Sequence, residues 1–264
     1  MFKSFNSFVN EYFTHENIRF DVINEALNED LSKDHKFGIC MTTYKIGGDD
    51  GGVQGRAGKM TTEKVLKESL ESVKNQTYDN YKVYLMGDGY PEDEWPDIKK
   101  LAESIIPKGK LFCENRKEPG ERGKYEGEIV HLTGGNTVAN DSIKQMKKDG
   151  IKLFARLDHD DAWNKDHLKT HAQVYTQFPE TALSLTRAKK KRVRGDKGTY
   201  MYFPESDNNE VDYDNYTLGL GGQCHSGLTW DMSKVGYMKY RTWNEQKSSA
   251  PRRKECYPGD WDNT

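Results

Sequence analysis

Short apolar runs alternate along the first part of the chain with longer segments whose apolar residues recur at helical spacing. The runs at 37–44, 82–86 and 151–157 are rich in strand-forming residues and predict buried strands. Residues 62–73 and 137–148 repeat apolar positions on one face and predict amphipathic helices. Because strands that alternate with helices form parallel sheets covered on both faces, we expect an α/β fold with a mostly parallel central sheet.

Weaker patterns complete the first half of the chain. A helix is expected near 98–106 and a short strand near 111–113, followed by a charged surface loop at 114–127. Residues 1–36 mix aromatic and acidic side chains, which predicts an N-terminal helical extension. The remaining residues, 37–264, are then expected to form one α/β domain.

The second half of the chain has a less regular pattern. Residues 182–186 and 199–203 have the composition of strands, and the basic run 189–194 lies between them. This run belongs to a solvated hairpin or holds an anionic acceptor, such as a lipid phosphate, a modified nucleic acid or an acidic glycan. His225 is a candidate metal or phosphate ligand, although a single histidine more often has a structural role.

Composition excludes several classes of protein. The formal net charge of -2 argues against a dedicated nucleic-acid-binding protein, which normally carries a clear basic excess. The four cysteines lack the spacing of a zinc site or a disulfide framework. No apolar run approaches the ~18 residues that a membrane span requires. We therefore expect a cytoplasmic protein with reduced thiols and no transmembrane segment.

The strongest local signal is the acidic cluster Asp158-His159-Asp160-Asp161, which directly follows a predicted strand. Carboxylate oxygens at the end of a strand suit magnesium or manganese bound to phosphate oxygens. The alternative is an acidic turn that caps the following helix. The apolar strand in front of the cluster favours the metal site, because ligands bind parallel sheets at the carboxyl ends of strands.

Two further acidic positions are candidates for binding or catalysis. Asp88 lies between two glycines at the end of the second predicted strand, where the glycines would let a ligand approach the backbone closely. Its carboxylate suits a nucleobase or ribose donor group, although turn aspartates are common. Near the C-terminus, Asp260 and Asp262 flank Trp261 and offer a general base beside a ring that sugars stack on.

Six segments follow one another in a characteristic order along the chain. They are 39–44 (ICMTTY), 70–78 (LESVKNQTY), 84–89 (YLMGDG), 140–143 (NDSI), 154–163 (FARLDHDDAW) and 259–262 (GDWD). Over residues 37–262 this order resembles the family-two-type glycosyltransferases. The resemblance implies the GT-A fold, the Rossmann-like fold of nucleotide-diphospho-sugar transferases, and the family's metal-binding DxD motif.

The resemblance also implies a role for individual residues toward the sugar donor. Thr43 and Tyr44 would contact the nucleotide, and Asp88 would bind the uracil or ribose. Asp158 would face the nucleotide sugar. Asp160 would ligate a manganese or magnesium ion that bridges the diphosphate of the donor, which is expected to be a UDP-sugar.

On the acceptor side, the resemblance implies that Asp260 is the catalytic base of an inverting, single-displacement transfer. Gly259 stands where the family usually has an acid, which leaves Asp262 as a rival for the base. The acceptor is a hydroxyl of a glycan, a protein or another molecule, with nucleic acid among the alternatives. The family usually continues beyond the position of Thr264 with another helix, so the resemblance raises the expectation of an excised domain.

Two alternatives come from other classes of protein. Residues 52–59 lie between a strand and a helix, as a P-loop of an NTPase or kinase would. Gly52 is however one residue too far from Gly58 and Lys59, and Met60 replaces the hydroxyl that binds the metal, so a surface loop that closes over the donor fits better. A catalytically silent sugar-binding module would require the matched acidic residues to have no role.

Overall fold

The computed structural model describes residues 35–45, 61–124, 135–186, 188–194, 197–203, 225–236 and 239–240 of the chain. The strands are β1 (Phe37–Thr43), β2 (Tyr81–Gly87), β3 (Leu111–Asn115), β4 (Leu153–Arg156), β5 (Leu183–Leu185), β6 (Ala188–Arg194), β7 (Lys197–Phe203) and β8 (Leu228–Asp231). The helices are α1 (Thr62–Lys74), α2 (Trp95–Ile105), α3 (Asn136–Lys148), α4 (His167–Gln177) and α5 (Met232–Val235), with short 3₁₀ turns at Glu121–Gly123 and His225–Gly227.

A six-stranded sheet with the order β3-β2-β1-β4-β8-β5 forms the centre of the described residues. Strands β1 to β4 pair in parallel, whereas β8 pairs antiparallel with β4 and with β5. This topology confirms the expected α/β fold with a mostly parallel sheet. The pairing of Thr43 with Gly87 and of Cys40 with Arg156 brings the carboxyl ends of β2, β1 and β4 to one edge of the sheet.

Each face of the sheet carries its own apolar core. Ile39 and Met41 of β1 belong to the first core, which α1, α2 and α4 cover. Cys40 belongs to the second core, together with residues of α3 and with Trp230 of β8. Successive side chains of a strand point to opposite faces, so one apolar strand serves both cores. Helices therefore lie on both faces, as the alternating pattern predicts.

Helix α4 and strand β8 were not expected from the sequence pattern. Helix α4 buries polar residues such as His171 and Gln173 beside its apolar ones, so its apolar periodicity is weak. Strand β8 is only four residues long, which is too short for an alternating pattern to stand out. The basic run 189–194 was expected between two strands, but it is itself part of strand β6, paired antiparallel with β7.

Residues 1–34, most of the expected N-terminal extension, lie outside the described residues. The described part begins at His35, whose carbonyl accepts a 2.9 Å hydrogen bond from the hydroxyl of Tyr78. None of the helices in the described ranges combines the length and the apolar character needed to cross a membrane.

Candidate active site

The sequence-predicted residues Thr43, Asp88 and Asp160 lie at the same edge of the sheet. Thr43 ends β1, Asp88 follows β2, and the turn containing Asp160 follows β4. The backbone N–H of Asp88 donates a 2.8 Å hydrogen bond to the carbonyl of Thr43. The hydroxyl of Thr43 lies 2.9 Å from Nδ1 of His159. This contact joins the turn after β4 to the ends of β1 and β2.

Thr43 and Tyr44 differ in what they present to a ligand. The Thr43 side chain is fully buried, and its hydroxyl lies 2.9 Å from the hydroxyl of Tyr90. The Tyr44 side chain is half-buried, and its ring centroid lies 4.7 Å from that of His159. Thr43 therefore links three strand ends inside the protein, whereas Tyr44 is the residue of the two with exposed surface.

Asp88 is held in a tight turn. Its side chain is buried, and Oδ1 accepts a 2.7 Å hydrogen bond from the backbone N–H of Gly120. Gly89 has a φ of 74°, and a Cβ at this position would lie 2.7 Å from the backbone nitrogen of Pro119. Gly89 was expected to let a ligand approach, but it makes room for the backbone of Pro119. This close packing of the turn helps to fix the Asp88 carboxylate.

Tyr90 is a site residue that sequence reasoning missed. Its backbone is clamped by Asn115, which donates from Nδ2 to the Tyr90 carbonyl at 2.9 Å and accepts the Tyr90 N–H at 3.0 Å. The clamp ties the turn after β2 to the end of β3. A tyrosine after a Gly-Asp-Gly turn is a local signal, but its bond to Thr43 arises only from packing.

The acidic turn after β4 is tethered from two sides. The N–H of Asp161 donates a 3.0 Å hydrogen bond to the carbonyl of Asp158, which closes the turn. From α1, the Ser69 hydroxyl donates to the carbonyl of His159 at 2.8 Å. From the turn before β8, the Ser226 hydroxyl donates to Oδ2 of Asp161 at 2.7 Å. The turn therefore has a defined shape within the protein alone.

Arg156 is a second site residue that the sequence analysis did not single out. Its buried Nε–H donates a 2.9 Å hydrogen bond to Oδ1 of Asp158, and its guanidinium lies 4.7 Å from the centroid of the Tyr240 ring. Burial opposes the charge, but Asp158 and Tyr240 hold the pKa of Arg156 above its usual value. Asn140 fixes Tyr240 in turn, through hydrogen bonds of 2.8 and 2.7 Å to its carbonyl and N–H.

The carboxylates of Asp158 and Asp161 have different partners. Asp158 pairs with Arg156 and Asp161 accepts from Ser226, and the described residues contain no group of three His, Cys, Asp or Glu side chains arranged to hold a metal. Asp160 is half-buried in the same turn. Mg²⁺ commonly binds through one or two carboxylates together with substrate phosphates. Asp160 stays the predicted ligand of a cation that is shared with a diphosphate.

The helix-capping alternative for the acidic turn has no support in the structure. Helix α4 begins at His167, and its N-cap is Asp166. The carboxylates of Asp158 and Asp161 instead accept hydrogen bonds from Arg156 and from a serine of the turn before β8.

Several predicted residues lie outside the described part of the chain. These are the proposed base Asp260, its rival Asp262 and the P-loop-like residues 52–59. The backbone of the basic run and of His225 is described, but their side chains are not. Their roles stay predictions.

Comparisons with known proteins agree with the fold. No family model matches the chain. It is 25% identical over 198 residues to "Uncharacterized glycosyltransferase R139" of Acanthamoeba polyphaga mimivirus, an alignment that covers 72% of this chain and 75% of that protein. The crystal structure of S. aureus TarS 1-349 superposes with a TM-score of 0.52 and 16% identity over 79% of this chain and 51% of that one.

The complex of the same S. aureus TarS fragment with UDP superposes with a TM-score of 0.50 and 17% identity, over 81% of this chain and 52% of that one. The chain thus spans about half the length of these solved structures. Together, the mimivirus relative and the shared architecture confirm the expected GT-A fold and the expected enzyme class, the glycosyltransferases.

Proposed function

We propose that this GT-A-fold glycosyltransferase transfers a sugar from a UDP-sugar to an acceptor hydroxyl, with inversion and with the help of a divalent cation. The observation that carries the proposal is the meeting of Tyr44, Asp88 and the 158–161 turn at one edge of the sheet. This edge is formed by the carboxyl ends of adjacent parallel strands, where α/β proteins bind nucleotides.

The nucleoside is assigned to Tyr44 and Asp88. Tyr44 offers a partly exposed aromatic ring, and Asp88 offers carboxylate oxygens in a fixed orientation beside Gly120. A carboxylate accepts hydrogen bonds, so it suits the imide N–H of uracil or the hydroxyls of ribose. The S. aureus TarS fragment of similar fold was solved with UDP, which supports uridine as the first nucleoside to test.

The diphosphate is assigned to the turn after β4. Asp160 would hold manganese or magnesium, and the bound cation would neutralise charge that builds on the departing diphosphate. Asp158, oriented by Arg156, would face the sugar and accept a hydrogen bond from a hydroxyl of the donor sugar. Pairing with Arg156 leaves Asp158 poorly suited to binding the cation, because its carboxylate is already engaged by a positive charge.

The acceptor side is assigned to Asp260, with Asp262 as the rival. The carboxylate would take the proton of the acceptor hydroxyl while the hydroxyl oxygen forms a bond to the anomeric carbon of the sugar. The bond from that carbon to the diphosphate oxygen breaks, and its electron pair leaves with UDP. One displacement from the opposite face inverts the configuration at the anomeric carbon.

The test is calorimetric titration of the protein with UDP, GDP and ATP, each with and without manganese. We expect UDP to bind more tightly with manganese than without it, and more tightly than GDP. Tight ATP binding that is lost in Lys59→Ala would favour the P-loop alternative. Glycan binding without nucleotide binding would favour a silent sugar-binding module. Hydrolysis of UDP-sugars, followed by a screen of glycans, proteins and nucleic acids, then identifies the sugar and the acceptor.

A further inference from the structure

His159 is buried between two acidic residues that retain exposed surface. Its relative exposure is 3%, whereas the neighbouring Asp158 and Asp160 are half-buried. The ring contacts the end of β1 in two ways: Nδ1 lies 2.9 Å from the Thr43 hydroxyl, and the ring centroid lies 4.7 Å from that of Tyr44 at an angle of 34°. The middle residue of the acidic turn therefore faces the strand that carries the nucleotide-side tyrosine.

The position of His159 is fixed from several directions. Ser69 of α1 donates a hydrogen bond to its carbonyl, so its backbone is tethered as well as its ring. The Thr43 hydroxyl that meets Nδ1 also meets the hydroxyl of Tyr90, at 2.9 Å. A buried chain of hydrogen bonds thus crosses the ends of β2, β1 and β4.

Through these hydrogen bonds, both sides of the proposed donor site depend on the ring of His159. A shift of the His159 ring would move Tyr44, which packs against it, and the backbone of Asp160, which follows it directly. Groups that hold a ligand lose affinity when the residues that support them are loosened, even where those residues do not touch the ligand.

We propose that His159 is a positioning residue that couples the nucleoside side of the donor site, at Tyr44, to the cation and diphosphate side, at Asp160. This proposal rests on the proposed function. Coupling between two ligand sites is reciprocal, so manganese strengthens UDP binding by the same factor as UDP strengthens manganese binding. His159 is expected to carry part of that factor.

The experiment separates the two contacts of the ring. His159→Phe keeps an aromatic ring against Tyr44 but removes the bond to Thr43. Thr43→Val keeps the shape of the side chain and removes the same bond from the other side, together with the bond to Tyr90. His159→Ala removes both contacts. His171→Asn is the matched control, because His171 is also buried and its ring also meets hydroxyls, those of Ser184 and Thr229.

For each variant, the melting temperature and the dissociation constant of UDP with and without manganese are measured. We expect His159→Ala to weaken UDP binding in manganese by about tenfold, the loss of one net hydrogen bond and its packing. The ratio of the UDP dissociation constant without manganese to the one with manganese should fall toward one. His159→Phe and Thr43→Val should each have a smaller effect, although Thr43→Val also removes the bond to Tyr90. The double variant should be no worse than Thr43→Val alone, because the bond between His159 and Thr43 is already lost in each single variant.

The control decides between positioning and fold stability. His171→Asn should lower the melting temperature and leave both UDP dissociation constants at the wild-type values. The proposal is overturned if the variants of His159 and Thr43 behave in the same way as this control. Failure of the wild-type protein to bind UDP or GDP with manganese would instead overturn the proposed function, and this proposal with it.

Discussion

The Nε–H of Arg156 donates a 2.9 Å hydrogen bond to Oδ1 of Asp158 across the end of β4. The guanidinium is almost fully buried, whereas 32% of the Asp158 side chain is exposed. A buried positive charge is tolerated because a carboxylate and an aromatic ring face it. The first acid of the 158–161 turn is thus oriented by an arginine of the strand that precedes it.

We expect Arg156→Met to be tolerated better when Asp158 is changed to Asn in the same chain. Asp158→Asn alone leaves the buried guanidinium without its carboxylate and should reduce the free energy of unfolding by about 2 kcal/mol. This is less than the ~3–5 kcal/mol of a fully buried pair, because Asp158 is partly exposed to water. Urea denaturation of the two single variants and the double variant measures the coupling. Additive losses would contradict a stabilising pair.

Gly89→Ala should disturb the nucleotide side of the site through Asp88. The residue has a positive φ, and the new Cβ would meet the backbone of Pro119, so the turn has to move. Gly109→Ala is the control, since Gly109 also has a positive φ but has no atom near the new Cβ, and it should cost only the ~1 kcal/mol of strain. Calorimetry should show weaker UDP binding in Gly89→Ala alone; equal UDP affinity in both variants would contradict the role of Asp88.

Asp160→Ala should remove the advantage that manganese gives to UDP binding. The affinity in manganese is expected to fall by about tenfold or more, while the affinity without the metal stays the same. Asp166→Ala removes the same charge from the same loop, where Asp166 accepts a hydrogen bond from Thr77, and serves as the control. Manganese dependence that survives in Asp160→Ala would assign the cation to other residues.

Asp260→Asn should abolish transfer and leave the binding of UDP and manganese nearly intact. A general base acts on the acceptor, and its loss typically slows a reaction by about 10²–10⁴-fold. Initial rates of transfer and calorimetry on the same preparation separate the two effects. If Asp260→Asn keeps its rate and Asp262→Asn loses it, the base is Asp262; full activity of both variants would refute a base in this segment.

The stability of the protein should fall as the pH is lowered from about 6.5 toward 3. Burial lowers the pKa of His167 to about 3 and lowers the pKa of His171, where the neighbouring His167 adds to the effect. Histidines in the unfolded chain have a pKa of about 6.5 and bind protons below that pH. Acid therefore favours the unfolded chain, by up to about 1.4 kcal/mol per pH unit for each of the two residues. Urea denaturation at pH 7.5 and pH 5 tests this expectation, and His167→Gln should reduce the difference.

Local sequence patterns were sufficient for the elements that carry the site. The strand before Asp158 and the strand before Asp88 are short apolar runs, and each ends in a turn composition within one or two residues of its observed end. Their apolar residues serve cores on both faces of the sheet, so the pattern and the fold report the same physical fact. The edge of the sheet that is proposed to bind the ligand follows from the same strands.

What the sequence determined by itself is therefore the order of the strands and helices from β1 to β4 and the acids that follow β2 and β4, because hydrophobic periodicity and turn composition act over a few neighbouring residues. The tertiary structure alone decided which residues the acids and their neighbours contact. Thr43 is buried on His159, and Ser226 reaches Asp161 from 65 positions away. Such contacts depend on packing between elements that are remote in sequence. The residues around either partner form no local pattern from which the contact could be predicted.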